Sequence, residues 1–417
     1  MGKADATNRP VDVPLMARVR NLRRERKAHR PTSWTVPYLE LNTTMRRLVG
    51  ALLILPALAA AQVRPTNATI VREVDSLARA FVAAGSTPSI AISITRGGNP
   101  VVTGAWGKAD IEQNVDATPI SIYELGSATK QFTAAAVMQL VDQGKVKLDE
   151  SIGTYLPSLP EAWRAVTVHQ LLNHTSGIPN YTAVPAWPQR WGEEMTPDTM
   201  IAPTFNLPMD FAPGTKYKYD NQGYVLLGMI IERVTGKRWI VDFAERFAKP
   251  LGLSSTRACD VASIIPHRAR GYDLLNDTVV NAPYFSVSQA FSAGAICSTV
   301  GDMARWNLAL HTGKVVSAAS YRLMTTPEGA AAASRYGFGL IIDTIAGHKL
   351  IQHGGSIPGF TSANAWVAGE ELSVTVLANS LRGNPGLLSR QVLRAALGLP
   401  PAPPTVTGRR PPASSPK

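Results

Sequence analysis

β-Rich segments occur at both ends of this chain, and a long helical region lies between them. The runs SIAISIT (89–95) and VVTGAWG (101–107) flank Arg-Gly-Gly-Asn-Pro and predict a hairpin. Four later runs predict strands at 336–343, 349–355, 361–367 and 372–380. This arrangement favours one antiparallel sheet built from both chain ends, flanked by helices, with a helical region inserted. The expected fold class is therefore α/β, of the α+β kind.

Apolar spacing predicts the helices. Apolar residues recur every three or four positions over 70–81, and Gly85 follows as a stop signal. A second helix is predicted from Ser127 to about Asp142. From about 150 to 330, helical stretches alternate with Pro- and Gly-rich loops.

The net charge is concentrated at the N-terminal end. The 417 residues carry a formal charge of +12, and residues 1–61 contribute +7 through 11 Lys and Arg against 4 Asp and Glu. Nucleic-acid-binding surfaces typically carry a basic stripe with interleaved aromatic residues. The remaining sequence has no such stripe. The expected partner is therefore a small-molecule or peptide substrate and not a nucleic acid.

The same end contains the pattern of a secretory signal peptide. The triplet MRR at Met45 precedes the uncharged run LVGALLILPALAAAQ, with small residues at Ala59 and Ala61. The run is too short to span a bilayer comfortably, so no stable membrane span is expected after processing. We predict a signal peptide at 45–61, cleaved near Ala61, and a periplasmic or secreted protein. Residues 1–44 are then a basic leader or follow from a misassigned start.

The rest of the chain divides into one domain and a tail. A single folded domain is expected at 62–398. Residues 399–417 are Pro-rich and lack periodicity, which predicts a disordered tail. Cys259 and Cys297 lie in the exported part, where a disulfide is permitted. Two free buried thiols are the alternative.

The segment GSATKQFTAAAV (126–137) is the first of three that carry residues suited to chemistry. Ser127 and Lys130 lie on one helix face, because residues three apart on a helix are neighbours. Ser127 is either an ordinary N-cap or a nucleophile that the lysine activates.

Two later segments carry further candidates. In FAPGTKYKYDNQGY (211–224), Tyr219 packs at a helix entry with Asn221 as the N-cap, or both belong to a catalytic site. In QHGGSIPGF (352–360), His353 precedes glycines that let a ligand approach the backbone closely. A lone histidine beside a glycine turn is the alternative there.

Taken in order, the three segments resemble the motifs S-x-x-K, Y-x-N and H-x-G of the serine β-lactamase and penicillin-binding-protein superfamily. Further similarity to the branch of class C β-lactamases, DD-carboxypeptidases and related esterases lies in YELGSATK, TVHQLLNHTSGIPNY (167–181) and SAGAICSTVGDMARW (292–306). The resemblance covers about residues 70–395. It implies the β-lactamase/DD-peptidase-like fold.

The resemblance also implies catalytic roles. Ser127 would attack a carbonyl and form an acyl-enzyme, with Lys130 as its base once desolvation has made the amine neutral. Tyr219 would take or relay the proton to the leaving group, and Asn221 would orient Lys130 and donate to the substrate amide. The backbone N–H groups of Ser127 and Ser356 would hold the oxyanion. Neither a metal nor another cofactor is expected.

The third segment departs from the family pattern. His353 stands where class C β-lactamases carry Lys, and Gly354 stands where they carry a Thr or Ser hydroxyl. Both family groups help to hold a substrate carboxylate. His353 would act through a positive charge that is lost as pH rises. The alternative is that it acts only as a neutral hydrogen-bond donor, or merely shapes the strand end. Gly355 and Ser356 complete the predicted substrate-binding set.

Three other aromatic residues invite a functional interpretation. His174, in NHTSGIP, is expected to pack rather than react. Trp187 and Trp191, in AVPAWPQRWGEEM (183–195), are expected to pack along one side of the cleft, with substrate contact as the alternative.

The resulting hypothesis is an exported serine hydrolase that cleaves amide or ester bonds, acting on β-lactams or D-amino-acid peptides. One alternative is a carboxylesterase that uses the same site. Another is a non-catalytic binder of cell-wall peptides or penicillin, which an intact set of Ser127, Lys130 and Tyr219 disfavours. The sequence does not specify an oligomeric state.

Overall fold

The computed structural model describes residues 64–401. The predicted leader and signal peptide lie outside these residues, as does the predicted tail from residue 402 onward. Within the described part, no helix combines the length and the apolar character needed to cross a membrane.

Strands at both ends of the described chain enclose most of the helices, as predicted. The strands are β1 (Ser89–Arg96), β2 (Asn99–Asp110), β3 (Val115–Asp116), β4 (Tyr123–Glu124), β5 (Arg257–Ala258), β6 (Tyr272–Leu275), β7 (Thr278–Asn281), β8 (Ile296–Ser298), β9 (Ile341–Ile345), β10 (His348–Ile357), β11 (Phe360–Val367) and β12 (Leu372–Ala378). The α-helices are α1 (Asn67–Ala83), α2 (Lys130–Asp142), α3 (Ile152–Tyr155), α4 (Glu161–Arg164), α5 (Val168–Leu172), α6 (Pro197–Ile201), α7 (Asn221–Thr235), α8 (Trp239–Phe243), α9 (Phe291–Gly294), α10 (Val300–His311), α11 (Ala318–Met324) and α12 (Pro385–Ala396).

One antiparallel sheet joins the two ends of the chain. Its strand order is β3-β2-β1-β12-β11-β10-β9, so strands from the two ends meet where β1 pairs with β12. In that ladder Ile92 lies opposite Val376. The predicted fold class is confirmed.

Each face of the sheet is covered by helices, as alternate side chains of a strand point to opposite faces. In β1, Ile90, Ile92 and Ile94 pack with α1 and α12 in one apolar cluster, whereas Ala91 belongs to the cluster on the other face. The second cluster contains the helices of the inserted region and α2. The sheet therefore lies in the middle of the domain and presents β10 to the start of α2.

The structure departs from the predicted elements in two places. The predicted strand at 336–343 is regular only from Ile341, because Gly339 adopts a φ of +68° and the chain turns there. A Cβ on Gly339 would lie 2.7 Å from the carbonyl oxygen of Lys130, so this turn packs directly on α2. In addition, α12 follows the last strand, where no helix was predicted.

The two cysteines are free and fully buried. Cys297 lies in β8, and Cys259 follows β5, which pairs with β8. Of the two alternatives, a disulfide or two free buried thiols, the structure has the two free thiols.

Candidate active site

Ser127 lies in a tight turn and not inside the helix that follows it. Residues Gly126–Thr129 form a 3₁₀ turn, and α2 begins at Lys130. No side chain caps either element, so the N-cap interpretation of Ser127 was wrong. Because the Ser127 hydroxyl has no capping role, it is available to face the Lys130 amine at 3.3 Å.

Lys130 is completely buried. Its Nζ donates to the Asn221 Oδ1 at 2.7 Å and to the Ala293 carbonyl at 3.0 Å, in addition to Ser127. Desolvation lowers the pKa of Lys130 to about 7, against the opposing negative charge of Asp220. A large fraction of the amine is therefore neutral at physiological pH, which suits a general base.

Asp220, not Asn221, caps helix α7. The Asp220 carboxylate accepts from the backbone N–H groups of Gln222 and Gly223, at 2.8 and 2.9 Å. The interpretation of Asn221 as the N-cap was therefore wrong, and its amide is left to hold Lys130. Burial raises the pKa of Asp220 to about 7, although the two backbone donors and Lys130 favour its charged form.

Asp220→Asn is expected to shift the acidic limb of the kcat/KM profile to lower pH, by about one pH unit. The negative charge of Asp220 stabilises the ammonium form of Lys130, so its removal lowers the pKa of that amine. Asparagine is also a good N-cap, which should preserve α7 at the loss of one hydrogen bond. The pH profile of ester hydrolysis measures this shift, and Asp149→Asn is a control that removes an exposed acid elsewhere on the domain. An unchanged or more alkaline limb in Asp220→Asn would contradict the coupling.

Tyr219 approaches the same amine from another side. Its ring centroid lies 4.9 Å from the Lys130 Nζ. The Tyr219 hydroxyl is buried and has no hydrogen-bond partner of normal geometry among the described residues. Burial raises its pKa, and the nearby Ser127 hydroxyl acts in the opposite direction. Tyr219 is thus a protonated hydroxyl at neutral pH, which suits donation or relay of a proton better than its removal.

Strand β10 and the Ser127 turn approach each other through two glycines. A Cβ on Gly355 would lie 1.8 Å from the Leu125 carbonyl oxygen and 2.8 Å from the Ser127 backbone nitrogen. A Cβ on Gly126, where φ is +53°, would lie 2.9 Å from the Ser356 backbone nitrogen. The turn that carries Ser127 N and the strand that carries Ser356 N, the two predicted oxyanion donors, can therefore approach this closely only because Gly126 and Gly355 have no side chains.

Gly355→Ala is expected to lower kcat/KM by about a hundredfold or more, because β10 must move away from Ser127 and displacements of this size are costly in catalysis. The melting temperature should fall as well. Gly301→Ala is the matched control, since a Cβ there meets only one side-chain atom, at 3.9 Å. Equal activity and equal melting temperature for the two variants would show that the close approach is unimportant.

His353 lies behind the site as a neutral residue. Its side chain is buried, with Nε2 at 3.0 Å from the Tyr336 hydroxyl and Nδ1 at 2.6 Å from the Gly354 carbonyl. Burial and the nearby Lys130 lower its pKa to about 4. Of the two interpretations of His353, the structure favours the neutral one, in which it shapes the end of β10.

The ratio of kcat/KM for an anionic and a neutral ester should therefore stay constant between about pH 5.5 and 8.5. A histidine with a pKa near 4 carries no charge in this range, and contributions from Lys130 and Tyr219 largely cancel in the ratio. Paired acyl esters that differ by a distal carboxylate provide the measurement. A ratio that falls as pH rises through 6 to 7 would restore the charge hypothesis.

A cluster of aromatic rings lies beside Tyr219 and His353. His174 is buried, and its ring centroid lies 4.4 Å from that of Tyr219 and 4.5 Å from that of Tyr336. Its Nδ1 accepts from the backbone N–H of Asp220 at 3.1 Å. His174 therefore packs, as predicted, and also positions the helix cap. Sequence reasoning missed the roles of Asp220 and Tyr336, although the D-N pair before α7 was a usable N-cap signal.

The cleft in front of Ser127 is lined by predicted site residues and by aromatic residues. Of the predicted site residues, Ser127, Asn221 and Ser356 line it. Its aromatic wall consists of Tyr181, Trp187 and Phe285. Lys130, Tyr219 and His353 lie behind this surface. Trp187 thus reaches the cleft, whereas Trp191 does not line it and packs against Trp187 and Phe285.

Sequence comparisons identify relatives along most of the chain. A family model described as Beta-lactamase matches residues 74–399. A D-aminopeptidase of Brucella canis is 30% identical over 327 residues, which cover 76% of this chain and 61% of that protein. This chain thus spans less than two thirds of the length of that D-aminopeptidase. The putative penicillin-binding protein PbpX of Bacillus subtilis is 28% identical over 286 residues, 69% of each protein.

Solved structures share the fold. The octameric penicillin-binding protein homologue from Pyrococcus abyssi has a TM-score of 0.70 at 29% identity, covering 79% of this chain and 78% of that one. D-amino acid amidase from Ochrobactrum anthropi SV3, in complex with D-phenylalanine, has a TM-score of 0.69 at 26% identity, covering 78% and 98%. EstCE1, a hydrolase with promiscuous acyltransferase activity, has a TM-score of 0.69 at 20% identity, covering 79% and 99%.

Proposed function

The chain belongs to the β-lactamase family, and from this premise we propose that it is a hydrolase that cleaves amide or ester bonds through an acyl-enzyme on Ser127. One observation carries the proposal. The desolvated Lys130 amine lies 3.3 Å from the Ser127 hydroxyl while Asn221 holds it from the other side. A site that only bound ligands would have no need of a lysine with a pKa near 7 beside a serine.

The chemistry follows from these positions. The neutral Lys130 amine removes the proton of Ser127 as its oxygen attacks the carbonyl carbon. The backbone N–H groups of Ser127 and Ser356 stabilise the tetrahedral oxyanion. The proton then reaches the leaving amine or alcohol from Lys130 directly or through the Tyr219 hydroxyl. Water attacks the acyl-enzyme in the second half, with Lys130 again as the base.

We propose D-amino acid amides or short peptides with a free D-residue as the substrates, in preference to β-lactams. The relatives described as D-aminopeptidase and D-amino acid amidase support this class. The third motif supports it too, because a neutral, buried His353 offers no cation to a substrate carboxylate. An amino acid amide has no carboxylate, so its binding does not require a cation at this position.

A panel of substrates tests the proposal on the purified full-length protein. Release of ammonia from D-phenylalaninamide and D-alaninamide is compared with release from the L-enantiomers, and nitrocefin and p-nitrophenyl acetate are assayed beside them. We expect hydrolysis of the D-amides, with slow or undetectable nitrocefin turnover. Hydrolysis of the ester alone would identify a carboxylesterase, and rapid nitrocefin hydrolysis would identify a β-lactamase. No turnover with any substrate would leave only the binder.

We further propose that the protein is exported, with a mature N-terminus near Gln62. The basic residues, apolar run and small residues of 45–61 support this. Intact-mass measurement of the protein recovered from the periplasm or medium tests it. Recovery of a chain that retains residues 1–61 would contradict export through this signal.

A further inference from the structure

A second cavity lies on the far side of Trp187 from Ser127. Its volume is about 140 Å³. Five of its lining residues are Val184, Ala186, Met195, Met200 and Pro203, and the others are Tyr181, Trp187 and Arg190. Arg190 is the one charged residue in the lining, and it pairs with Glu193 at 2.8 Å. The cavity is therefore lined mainly by apolar side chains, and nothing in the catalytic mechanism uses it.

Tyr181 and Trp187 separate this cavity from the catalytic cleft, because both residues line both spaces. The Tyr181 side chain is held firmly, since its hydroxyl donates to the Gln289 carbonyl at 2.6 Å. By contrast, the Trp187 Nε1 is buried without a hydrogen-bond partner among the described residues. Ring contacts with Tyr181, Trp191 and Phe285, at centroid distances of 5.6 to 5.9 Å, hold its indole instead. Trp187 is thus the part of the partition that can move at little polar cost.

The size and polarity of the cavity indicate what it can hold. A dry apolar cavity of about 150 Å³ in another protein binds benzene. A cavity of about 140 Å³ is therefore close to the size of one aromatic ring or a branched aliphatic group. When the substrate is an amino acid amide the leaving group is ammonia, so a large apolar group can belong only to the acyl half.

We propose that this cavity is a subsite for a ring-sized apolar side chain on the acyl half of the substrate, entered when the Trp187 indole swings aside. The inference rests on the proposed hydrolase function and adds a preference for bulky apolar D-residues. Filling the cavity should penalise large side chains and leave small ones unaffected. Removing the partition should admit side chains larger than one ring.

Three variants test the subsite through ratios of kcat/KM. For Val184→Phe and the control, the ratio is that for D-phenylalaninamide to that for D-alaninamide. In Val184→Phe, which adds a ring at a residue that lines the cavity, the ratio should fall about tenfold or more, as expected for lost apolar contacts in a pocket. In Trp187→Ala, D-tryptophanamide should gain about tenfold relative to D-phenylalaninamide. Val241→Phe is the matched control for Val184→Phe, because it makes the same change at an exposed position that lines neither space. Its ratio should stay within about twofold of the wild type.

The readouts separate this inference from the proposed function. The subsite is overturned, while the hydrolase proposal stands, if two ratios of kcat/KM equal those of wild type in folded proteins. These are D-phenylalaninamide to D-alaninamide in Val184→Phe and D-tryptophanamide to D-phenylalaninamide in Trp187→Ala, with melting temperatures showing that both variants are folded. If D-amides are not hydrolysed, p-nitrophenyl acetate and p-nitrophenyl 3-phenylpropanoate provide the same comparison for an esterase. If neither class is hydrolysed, the proposed function fails. In that case calorimetry measures the binding affinities of D-phenylalanine and D-alanine for wild type and Val184→Phe. An equal ratio of the two affinities in both proteins overturns the subsite.

Discussion

If Ser127 is the nucleophile that we propose, its replacement by alanine is expected to abolish amide and ester hydrolysis, with kcat lowered by about 10⁵- to 10⁶-fold, as in serine hydrolases that lose the nucleophile. Without the hydroxyl no acyl-enzyme forms, and the oxyanion donors alone supply little rate. Steady-state assays and intact-mass detection of the acyl adduct measure the loss. Residual activity within about tenfold of wild type would exclude Ser127 as the nucleophile.

The same substitution should leave the fold intact. The Ser127 hydroxyl caps no helix, and Lys130 keeps its hydrogen bonds to Asn221 and Ala293 when that oxygen is removed. The melting temperature should therefore change little. Ser334→Ala, at an exposed turn, serves as the control for the effect of a serine-to-alanine change on assay and folding.

The sheet could be predicted from the sequence because its main strands are runs rich in β-branched residues. In β1, isoleucines alternate with Ser and Ala, which matches two differently packed faces. The strand predicted at 336–343 failed because its apolar residues also suit a loop packed on α2, and Gly339 turns the chain. Helix α12 was missed although Asn384 caps it and Pro385 stands at its first position, which are ordinary start signals.

The contact between Ser127 and Lys130 was predictable because the two residues are local, separated by one turn. The residues that surround this pair could not be predicted, because they come from distant segments of the sequence. Lys130 owes its lowered pKa to burial by the whole domain, and its partner Ala293 is 163 residues away. The neutrality of His353 likewise depends on burial and on Tyr336, which no local pattern linked to it.

The burial of Lys130 should also leave a pH signature in stability. Its pKa lies near 7 in the folded protein and near 10.5 when unfolded, so between these values only the unfolded state binds the extra proton. The unfolding free energy contributed by this residue should therefore rise with pH from about 8 to 10. Asp220, with a folded pKa near 7, is ionised in both states throughout that window and adds no slope of its own.

Lys130→Met is expected to lower kcat/KM by about 10⁴-fold or more and to remove this stability slope, since methionine fills similar space without a titrating group. The acidic limb of the pH–rate profile near 7 should disappear from whatever activity remains. Urea unfolding of wild type and variant at about pH 8 and 10 gives the slope, and ester hydrolysis gives the rate. Lys108→Met, which removes a partly exposed lysine paired with Asp116, is the control and should keep both the activity and the slope. A Lys130→Met enzyme that retains the limb near pH 7 would show that another group is the base, and an unchanged stability slope would show that the amine titrates normally. Because one buried amine is responsible for both effects, the loss of rate and the loss of slope should occur together.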